Sequence, residues 1–393
     1  MNLQEASALA GSAPVTPVRV MHLIHTFGVG GMEVGITKLV NGLNPSRVES
    51  SICSCRPGDS LKERLRPDIP LYEFSRRKGN DLRLVGQLYR LMRRTRPHVV
   101  HTHRWATLCE GLIAARLAGV PFVVHGEHGT LETRSHNVMV QRWVWNRVDQ
   151  VLSVSSRLAE RMSRDVGFPL DRIKIIRNGV DLERFTPRTR ASGRAAFGVA
   201  DDELVIGTVG RLVPVKDQAT LLRALALLRD QGLVFTALIA GTGRLREELT
   251  ALAEGLRLSN VRFLGNREDV PSVLGAFDVF VLSSLSEGLS NTIQEAMATG
   301  LPVVATHVGG ADELVQHERT GLLIPSGDPA ILADAIGRMC RDRPMRERMG
   351  AAGRLRAESL FSLSGMVREY EHLYVSLAAH LGGRWDEVVA VEA

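Results

Sequence analysis

Glu287 and Glu295 stand in EGLSNTIQEA (287–296) with no other charge between them. An apolar run, VFVLSS (279–284), precedes them. A loop, LSEGLSN, then leads into NTIQEAMAT, a short helix that ends at Gly300 in the position of a C′ glycine. Ser290 or Asn291 is expected to cap this helix and leave free amides at its N-terminus, a seat for a pyrophosphate. Glu295 lies one turn in, on the face of Asn291, where a carboxylate can accept two hydrogen bonds from ribose hydroxyls. Glu287, on the loop, points toward whatever hangs beyond the phosphates.

Other stretches carry chemistry of the same kind. GTVGRLVPVKDQ (207–218) puts Arg211 and Lys216 between a strand and a helix. Arg grips a diphosphate as a fork and Lys as a point charge, the alternative being salt bridges within the loop. GTGRLREEL (241–249) repeats the arrangement, with Gly241 and Gly243 small enough to admit a ligand. TFGVGGMEVG (26–35) opens a helix behind Gly28, Gly30 and Gly31, but residues 28–33 read GVGGME and lack the third glycine of a dinucleotide fingerprint. An anion seat and a tight turn both fit it. Five histidines gather in the first half: His98, His101, His103, His125 and His128. His101 and His103 share one strand face, yet a metal would need two further ligands. They read as sugar or acceptor contacts or as core residues, with His128, among the small residues of GEHGT, best placed for contact. A carboxylate pair also serves glycosidases, but hydrolysis of a neutral sugar has no use for the cations opposite Glu295.

These residues fall at loops between apolar runs and helices. The strands expected in the first half are VRVMHLI (18–24), SSICSC (50–55), HVVHTH (98–103), PFVVHG (121–126) and QVLSVS (150–155). Those in the second half are LVIGTVG (204–210), FTALIAG (235–241), VRFLG (261–265), VFVLSS and PVVATHVGG (302–310). Strands alternating with helices mean parallel sheets, so the class is α/β, two doubly wound units. Residues 1–17 read as a disordered leader, 18–186 and 200–365 as the two domains, and PRTRASGRAAFGV (187–199) as the linker between them. The stretch 366–393 reads as a terminal helix that packs back on the first domain.

Composition agrees with a folded chain of 393 residues, 44% hydrophobic and 23% charged, without an apolar run long enough to span a membrane. Four cysteines lack metal or framework spacing and read as reduced thiols in cytosol. Residues 1–190 hold 29 Lys+Arg against 17 Asp+Glu, leaving 20 against 26 beyond. A basic first half suits an anionic membrane surface, a phosphorylated acceptor or nucleic acid. Arg76, Arg77, Lys78 and the amphipathic stretch LRLVGQLYRLMRRTR (82–96) either lie on a membrane or cover a sheet.

Taken together, SEGLSNTIQEAMATGLPVVAT, GRLVPVKD and GTGRLREEL resemble glycosyltransferase family 4, retaining enzymes of the GT-B fold, over roughly residues 18–380. TFGVGGMEVG, HTHRW and VVHGEHGT are similar to the sugar transferases of bacterial exopolysaccharide gene clusters. The resemblance implies two Rossmann-like domains facing across a cleft. Arg211 and Lys216 match its diphosphate pair, Glu295 its ribose ligand and Glu287 the glutamate near the donor sugar. Gly288, Leu289, Ser290 and Asn291 match the backbone that meets the phosphates, and Gly241 and Gly243 join the donor site. Gly30 and Gly31 match the loop that closes on the donor, and His128 the histidine facing the transferred sugar. Catalysis then falls to His128, Glu287, Arg211 and Lys216. No D-x-D stands in a donor loop, consistent with metal independence, and no cofactor is implied beyond the nucleotide diphosphate sugar substrate. The implied partners are a glycan or polyprenyl-linked acceptor and, at the periphery, an anionic membrane on the cytoplasmic side, not nucleic acid. A nucleotide-sugar epimerase on the same fold and a non-catalytic nucleotide-sugar binder are the alternatives.

Overall fold

The structure, a computed structural model, describes residues 16–379 apart from 29, 59–60, 78–80, 130 and 132–134. Residues 1–15 of the expected leader, the chain beyond 379 and Lys78 lie outside the described residues.

Apolar runs buried on both faces and joined through helices form all-parallel sheets. The first sheet holds β1 (Val18–Thr26), β2 (Val48–Arg56), β3 (Leu71–Glu73), β4 (Val99–His103), β5 (Phe122–Glu127), β6 (Gln150–Ser153) and β7 (Ile173–Ile175). Its order is β3-β2-β1-β4-β5-β6-β7. Its helices are α1 (Gly31–Gly42), α2 (Leu82–Thr95), α3 (Trp105–Ala118), α4 (Ser135–Trp145) and α5 (Ser156–Val166). After α6 (Arg190–Phe197) comes the second sheet: β8 (Val205–Val209), β9 (Thr236–Ala240), β10 (Val261–Gly265), β11 (Val279–Leu282), β12 (Val303–Thr306) and β13 (Gly321–Ile324). Its order is β10-β9-β8-β11-β12-β13. With it go α7 (Gln218–Asp230), α8 (Arg246–Gly255), α9 (Val270–Gly275), α10 (Asn291–Ala298), α11 (Ala311–Leu314), α12 (Pro329–Arg341) and α13 (Arg343–Leu360), and α14 (Leu363–Ala379) ends the described chain. Winding reverses between β1 and β4 and again between β8 and β11. The loops beyond these strands part there and leave the crevice in which such sheets bind ligands. The two doubly wound units expected from the sequence are both present.

Differences from expectation have local causes. β3, β7 and β13 were not among the expected strands, because each is three or four residues long at a sheet edge and too short to show a period. The strand expected over 302–310 stops at Thr306. Residues 187–199 lie between the sheets but fold as a 3-10 turn and α6, packed on α9. A Cβ on Gly193 would lie 2.4 Å from the Ser272 carbonyl, so the glycine permits this contact. Arg194, 2% exposed, donates to Asp278 and to the carbonyls of Ala200, Glu203 and Ala276. The basic stretch 82–96 becomes α2, which buries Leu84, Val85, Leu88, Leu91 and Met92. It covers its sheet, and Arg76 turns inward to Glu110 at 2.5 Å. α14 lays Met366, Tyr370 and Tyr374 on the first sheet against Val18, Val20 and Val99.

Asp278 holds Arg194 at 3.2 Å and also accepts Val205 N at 2.8 Å, so it ties α6 to the start of β8. Asp278→Ala strands a buried guanidinium and is expected to cost about 3–5 kcal/mol in urea unfolding. Adding Arg194→Met removes that charge and should return a large part of the loss.

Candidate active site

β8 and β11 end at the second sheet's reversal, and their loops bring Lys216 and Glu287 together. Ser283 fixes this junction, its Oγ donating to the carbonyls of Lys216 at 3.0 Å and Asp217 at 2.9 Å. Lys216 Nζ donates to Glu287 Oε1 at 2.5 Å, and Ser284 Oγ donates to the same oxygen at 2.6 Å. Expected on the phosphate and sugar portions of a donor, the two side chains are paired with each other, with 17% and 11% of their surface exposed. Arg211 stays exposed at the crevice.

The start of α10 departs from expectation. Ser290 is the N-cap residue, but its hydroxyl meets Thr292 Oγ1 at 3.2 Å and bonds no helix amide. Asn291 does not cap either. Its Nδ2 donates to the Gly31 carbonyl at 3.1 Å, and its Oδ1 accepts from Asn178 Nδ2 at 3.0 Å, both partners lying on the first lobe. The expected side-chain cap is therefore absent because the Asn291 amide bonds across the crevice instead. The first amides of α10 keep no side-chain partner, the condition in which a helix N-terminus attracts an anion. Leu289 buries its side chain and offers the crevice only backbone. Glu295 accepts Lys38 Nζ of α1 at 3.3 Å, so the residue expected on the ribose is bridged to the opposite lobe. Burial pushes its carboxyl above the ordinary range, against the pull of Lys38.

The lobes approach backbone to backbone at two glycines. A Cβ on Gly129, whose φ is +131°, would lie 2.8 Å from Gly288 Cα, and one on Gly288 would lie 2.7 Å from the His128 carbonyl. Gly309 supports the contact from behind, since a Cβ there would lie 2.0 Å from the Glu287 carbonyl, and Gly310 N donates to Gly288 O at 2.8 Å. Gly31 faces Asn291, whereas Gly30 makes room for Glu33, whose Oε2 would be 2.2 Å from a Cβ at Gly30. Burial raises the Glu33 carboxyl, and Arg104 and Arg211 oppose the rise. Gly241 and Gly243 have a packing reason for bareness: a Cβ would lie 1.9 Å from the Gly210 carbonyl or 2.3 Å from that of Leu212.

The histidines divide by partner. His98 Nδ1 accepts Arg19 N at 3.0 Å, a core role. His125 lies between Thr102 Oγ1 at 2.9 Å and Glu127 Oε1 at 3.1 Å. His101 Nδ1 meets the Tyr374 hydroxyl at 2.8 Å. His103 meets His128 Nε2 at 3.0 Å on one side and His22 Nδ1 at 3.1 Å on the other. Only His128 of the five is partly accessible. Ring nitrogens of His22, His101 and His103 come within 4.8 Å of one another. His22 and His103 bond each other and His101 bonds Tyr374, so the three form a hydrogen-bonded cluster in the core. Burial pushes His22 down to about 3, and burial together with Arg104 pushes His128 to about 3. Sequence spacing gave no sign of Lys38, Asn178, His22 or Glu33. The GEHG and VGG glycines, Gly129 and Gly309, were visible but unread.

Two family models match the chain: residues 203–342 match that described as Glycosyl transferases group 1, and residues 29–184 that described as Glycosyltransferase Family 4. The chain is similar to the UDP-Gal:alpha-D-GlcNAc-diphosphoundecaprenol alpha-1,3-galactosyltransferase of Escherichia coli, 30% identical over 313 residues, which are 76% of this chain and 81% of that relative. It is likewise similar to the putative glycosyltransferase EpsF of Bacillus subtilis, 30% identical over 354 residues, 84% and 90% of the two chains. Among solved structures it is similar to a glycosyltransferase from Rickettsia africae, with TM-score 0.82, 19% identity and 93% and 99% of the chains covered. HepE of Anabaena in complex with UDP gives TM-score 0.80, 25% identity and 91% and 100% coverage. The two-lobed architecture is the GT-B fold.

The lowered histidines set a pH dependence. An unfolded chain takes up a proton on each near 6.5, whereas folded His22 does so only near 3, so the unfolded state binds more protons in that window. Stability is therefore complete above pH 6.5 and falls on acidification by about 1.4 kcal/mol per pH unit for fully buried His22. Glu295 and Glu33, raised by burial, act in the opposite sense just above the ordinary carboxylate range. Thermal melts should show a level Tm above about pH 7 and a steep decline below 6.5. A Tm as high at about pH 5 as at pH 7 would contradict the neutral histidine core.

Proposed function

This chain belongs to glycosyltransferase family 4, and on that premise we propose that it transfers a sugar from a nucleotide diphosphate sugar, with retention at the anomeric carbon and without a metal ion, to a glycan or polyprenyl-linked acceptor in exopolysaccharide assembly. The observation that carries this reading is the meeting, at the reversal of the second sheet, of an uncapped helix end and two cations with the His128 loop of the opposite lobe. Cleavage of a sugar–phosphate bond leaves negative charge on the diphosphate and positive charge on the anomeric carbon. Arg211, Lys216 and the amides of α10 stand where the first of these charges grows and stabilise it more than the ground state. An arriving diphosphate can replace Glu287 on Lys216, which releases the Glu287 carboxylate toward sugar hydroxyls. Ribose hydroxyls can replace Lys38 on Glu295 in the same way. In this reading Glu287 bonds sugar hydroxyls rather than the anomeric carbon, so the acceptor attacks from the leaving-group side and gives its proton to the departing phosphate. The name of the Escherichia coli relative favours a polyprenyl diphosphate-linked acceptor, and the HepE complex favours a uridine nucleotide.

Peripheral membrane contact is part of this reading, and α3 with α4 supports it better than α2. Ile113, Leu117, Met139, Val140 and Trp143 are exposed there, Met139 at 78% and Trp143 at 56%. Arg147 stacks 3.4 Å over the Trp143 ring, and Arg116 donates to the Arg147 carbonyl at 2.8 Å, which joins the two helices into one surface. Residues 82–148 hold ten Arg against three Glu, of which Glu110 and Glu127 are buried. No helix among the described residues is long and apolar enough to cross a membrane. Aromatic and apolar tips flanked by guanidiniums suit the interface of an anionic bilayer.

Incubation with UDP-, GDP-, ADP- and TDP-sugars, with and without a polyprenyl diphosphate oligosaccharide, tests the reaction by NMR of the product anomer. Transfer with retention is expected only when acceptor is present, and an epimerised donor without acceptor would refute it. Glu295→Ala and Lys216→Ala should weaken donor binding, whereas His128→Ala should lower kcat with less effect on donor affinity; each loss is on the order of 10²–10³-fold for one preorganised group. Flotation with anionic vesicles at low salt should carry the protein upward and fail for Met139→Ser/Trp143→Ser. Equal flotation of both forms would move the contact elsewhere.

A further inference from the structure

His128 reaches the crevice, but its Nε2 points back into the first sheet. Nε2 lies 3.0 Å from His103 Nδ1, and His103 Nε2 lies 3.1 Å from His22 Nδ1. Three imidazoles thus stand in single file from the crevice to β1. Strand register builds the file: His22 of β1 pairs with His101 of β4, His103 stands two residues further along the same strand, and His103 pairs with Gly126 of β5. The missing side chain of Gly126 makes the space, since a Cβ there would lie 3.3 Å from His128 Nε2 and 3.0 Å from His101 Nε2.

A neutral imidazole carries one N–H, and each bond in the file takes one proton. The protons therefore all point inward or all point outward. Pointing inward, His22 must carry its own hydrogen on Nε2, which is buried and lacks a partner among the described residues. Pointing outward, that atom holds only a lone pair. Buried N–H groups without an acceptor are the rarer fault in proteins. We propose that His22 and His103 are positioning residues whose outward-pointing hydrogen bonds fix His128 as the Nδ1–H tautomer, so that it meets the transferred sugar as a neutral hydrogen-bond donor and not as a base.

The sugar contact rests on the transferase reading, whereas the tautomer does not, so a spectroscopic test separates the two. In the full chain labelled with 15N-histidine, without substrate, long-range 15N–1H correlation should show a protonated Nδ1 and a bare Nε2 on His22, His103 and His128 alike at neutral pH. His103→Asn keeps an N–H donor at the Nδ1 position and should preserve the His128 tautomer and hold kcat within about threefold. His103→Leu removes the donor, should release His128 toward the Nε2–H form, and should lower kcat by about tenfold or more with a smaller change in donor Kd. An Nε2–H tautomer on His128 in the unaltered protein overturns the proposal, and that measurement needs no variant to fold. So does an equal loss in His103→Asn and His103→Leu, which would mark His103 as structural. A stoichiometric metal ion retained by the purified chain and lost in His103→Leu would likewise overturn it.

Discussion

Gly129 and Gly288 face each other across the crevice, and a methyl group on either would strike the other's backbone. This approach constrains everything around it. Two loops from different sheets can come so close only if neither carries a side chain there, so the chemistry must be supplied by neighbours one or two residues away. On the first lobe that neighbour is His128, and on the second it is Glu287. Asn291, bonded to Gly31 and Asn178, and Lys38, bonded to Glu295, hold the same two edges together further along. A helix end left uncapped at the centre of such a contact would be an unmet cluster of donors unless an anion or water reaches it.

Four charges of the crevice are already paired. Lys216 holds Glu287, and Lys38 holds Glu295, all four largely buried. Such pairs add little net stability, because desolvation cancels most of the attraction, whereas a lone charge in the same place would be costly. Their use is in exchange. In the proposed transfer a diphosphate would offer Lys216 another anion for the one it gives up, so that the lysine is never left alone and the released carboxylate finds hydroxyls. The site can thus remain formed while empty and still rearrange around a donor.

Legibility followed spacing. Glu287-x7-Glu295, Arg211 with Lys216, and the glycine loops could be read because each lies within one short segment whose local structure the pattern dictates. Lys38 and Asn178 could not, since each is a single polar residue whose partner lies 257 or 113 residues away and whose neighbours are unremarkable. Gly241 and Gly243 show the converse: a bare glycine after a strand looks the same whether a ligand or another loop lies against it, and here the carbonyls of Gly210 and Leu212 do. The proline, glycine and arginine content of 187–199 was read as a spacer, but Arg194 is a buried anchor and Gly193 a close contact. The edge strands LYE and IKI escaped because three residues define no period.

The lobes divide the electrostatic work of the proposed transfer. Charge separates along the bond being broken, and the second lobe places Lys216, Arg211 and the amides of α10 at the end that becomes negative. At the other end a positive charge grows on carbon, and a fixed cation there would raise the barrier. A histidine at that end is acceptable only if it stays uncharged. The protein could have secured that by making the site apolar throughout, but it would then lose a group able to bond a hydroxyl. Burying His22 and His103 behind His128 achieves both ends, because three buried imidazoles in file resist protonation while each is still hydrogen-bonded to the next. The carboxylate that would have made such a ring basic, Glu127, is bonded to His125 instead. Depth in the sheet, more than any single partner, therefore decides what His128 can do at the crevice.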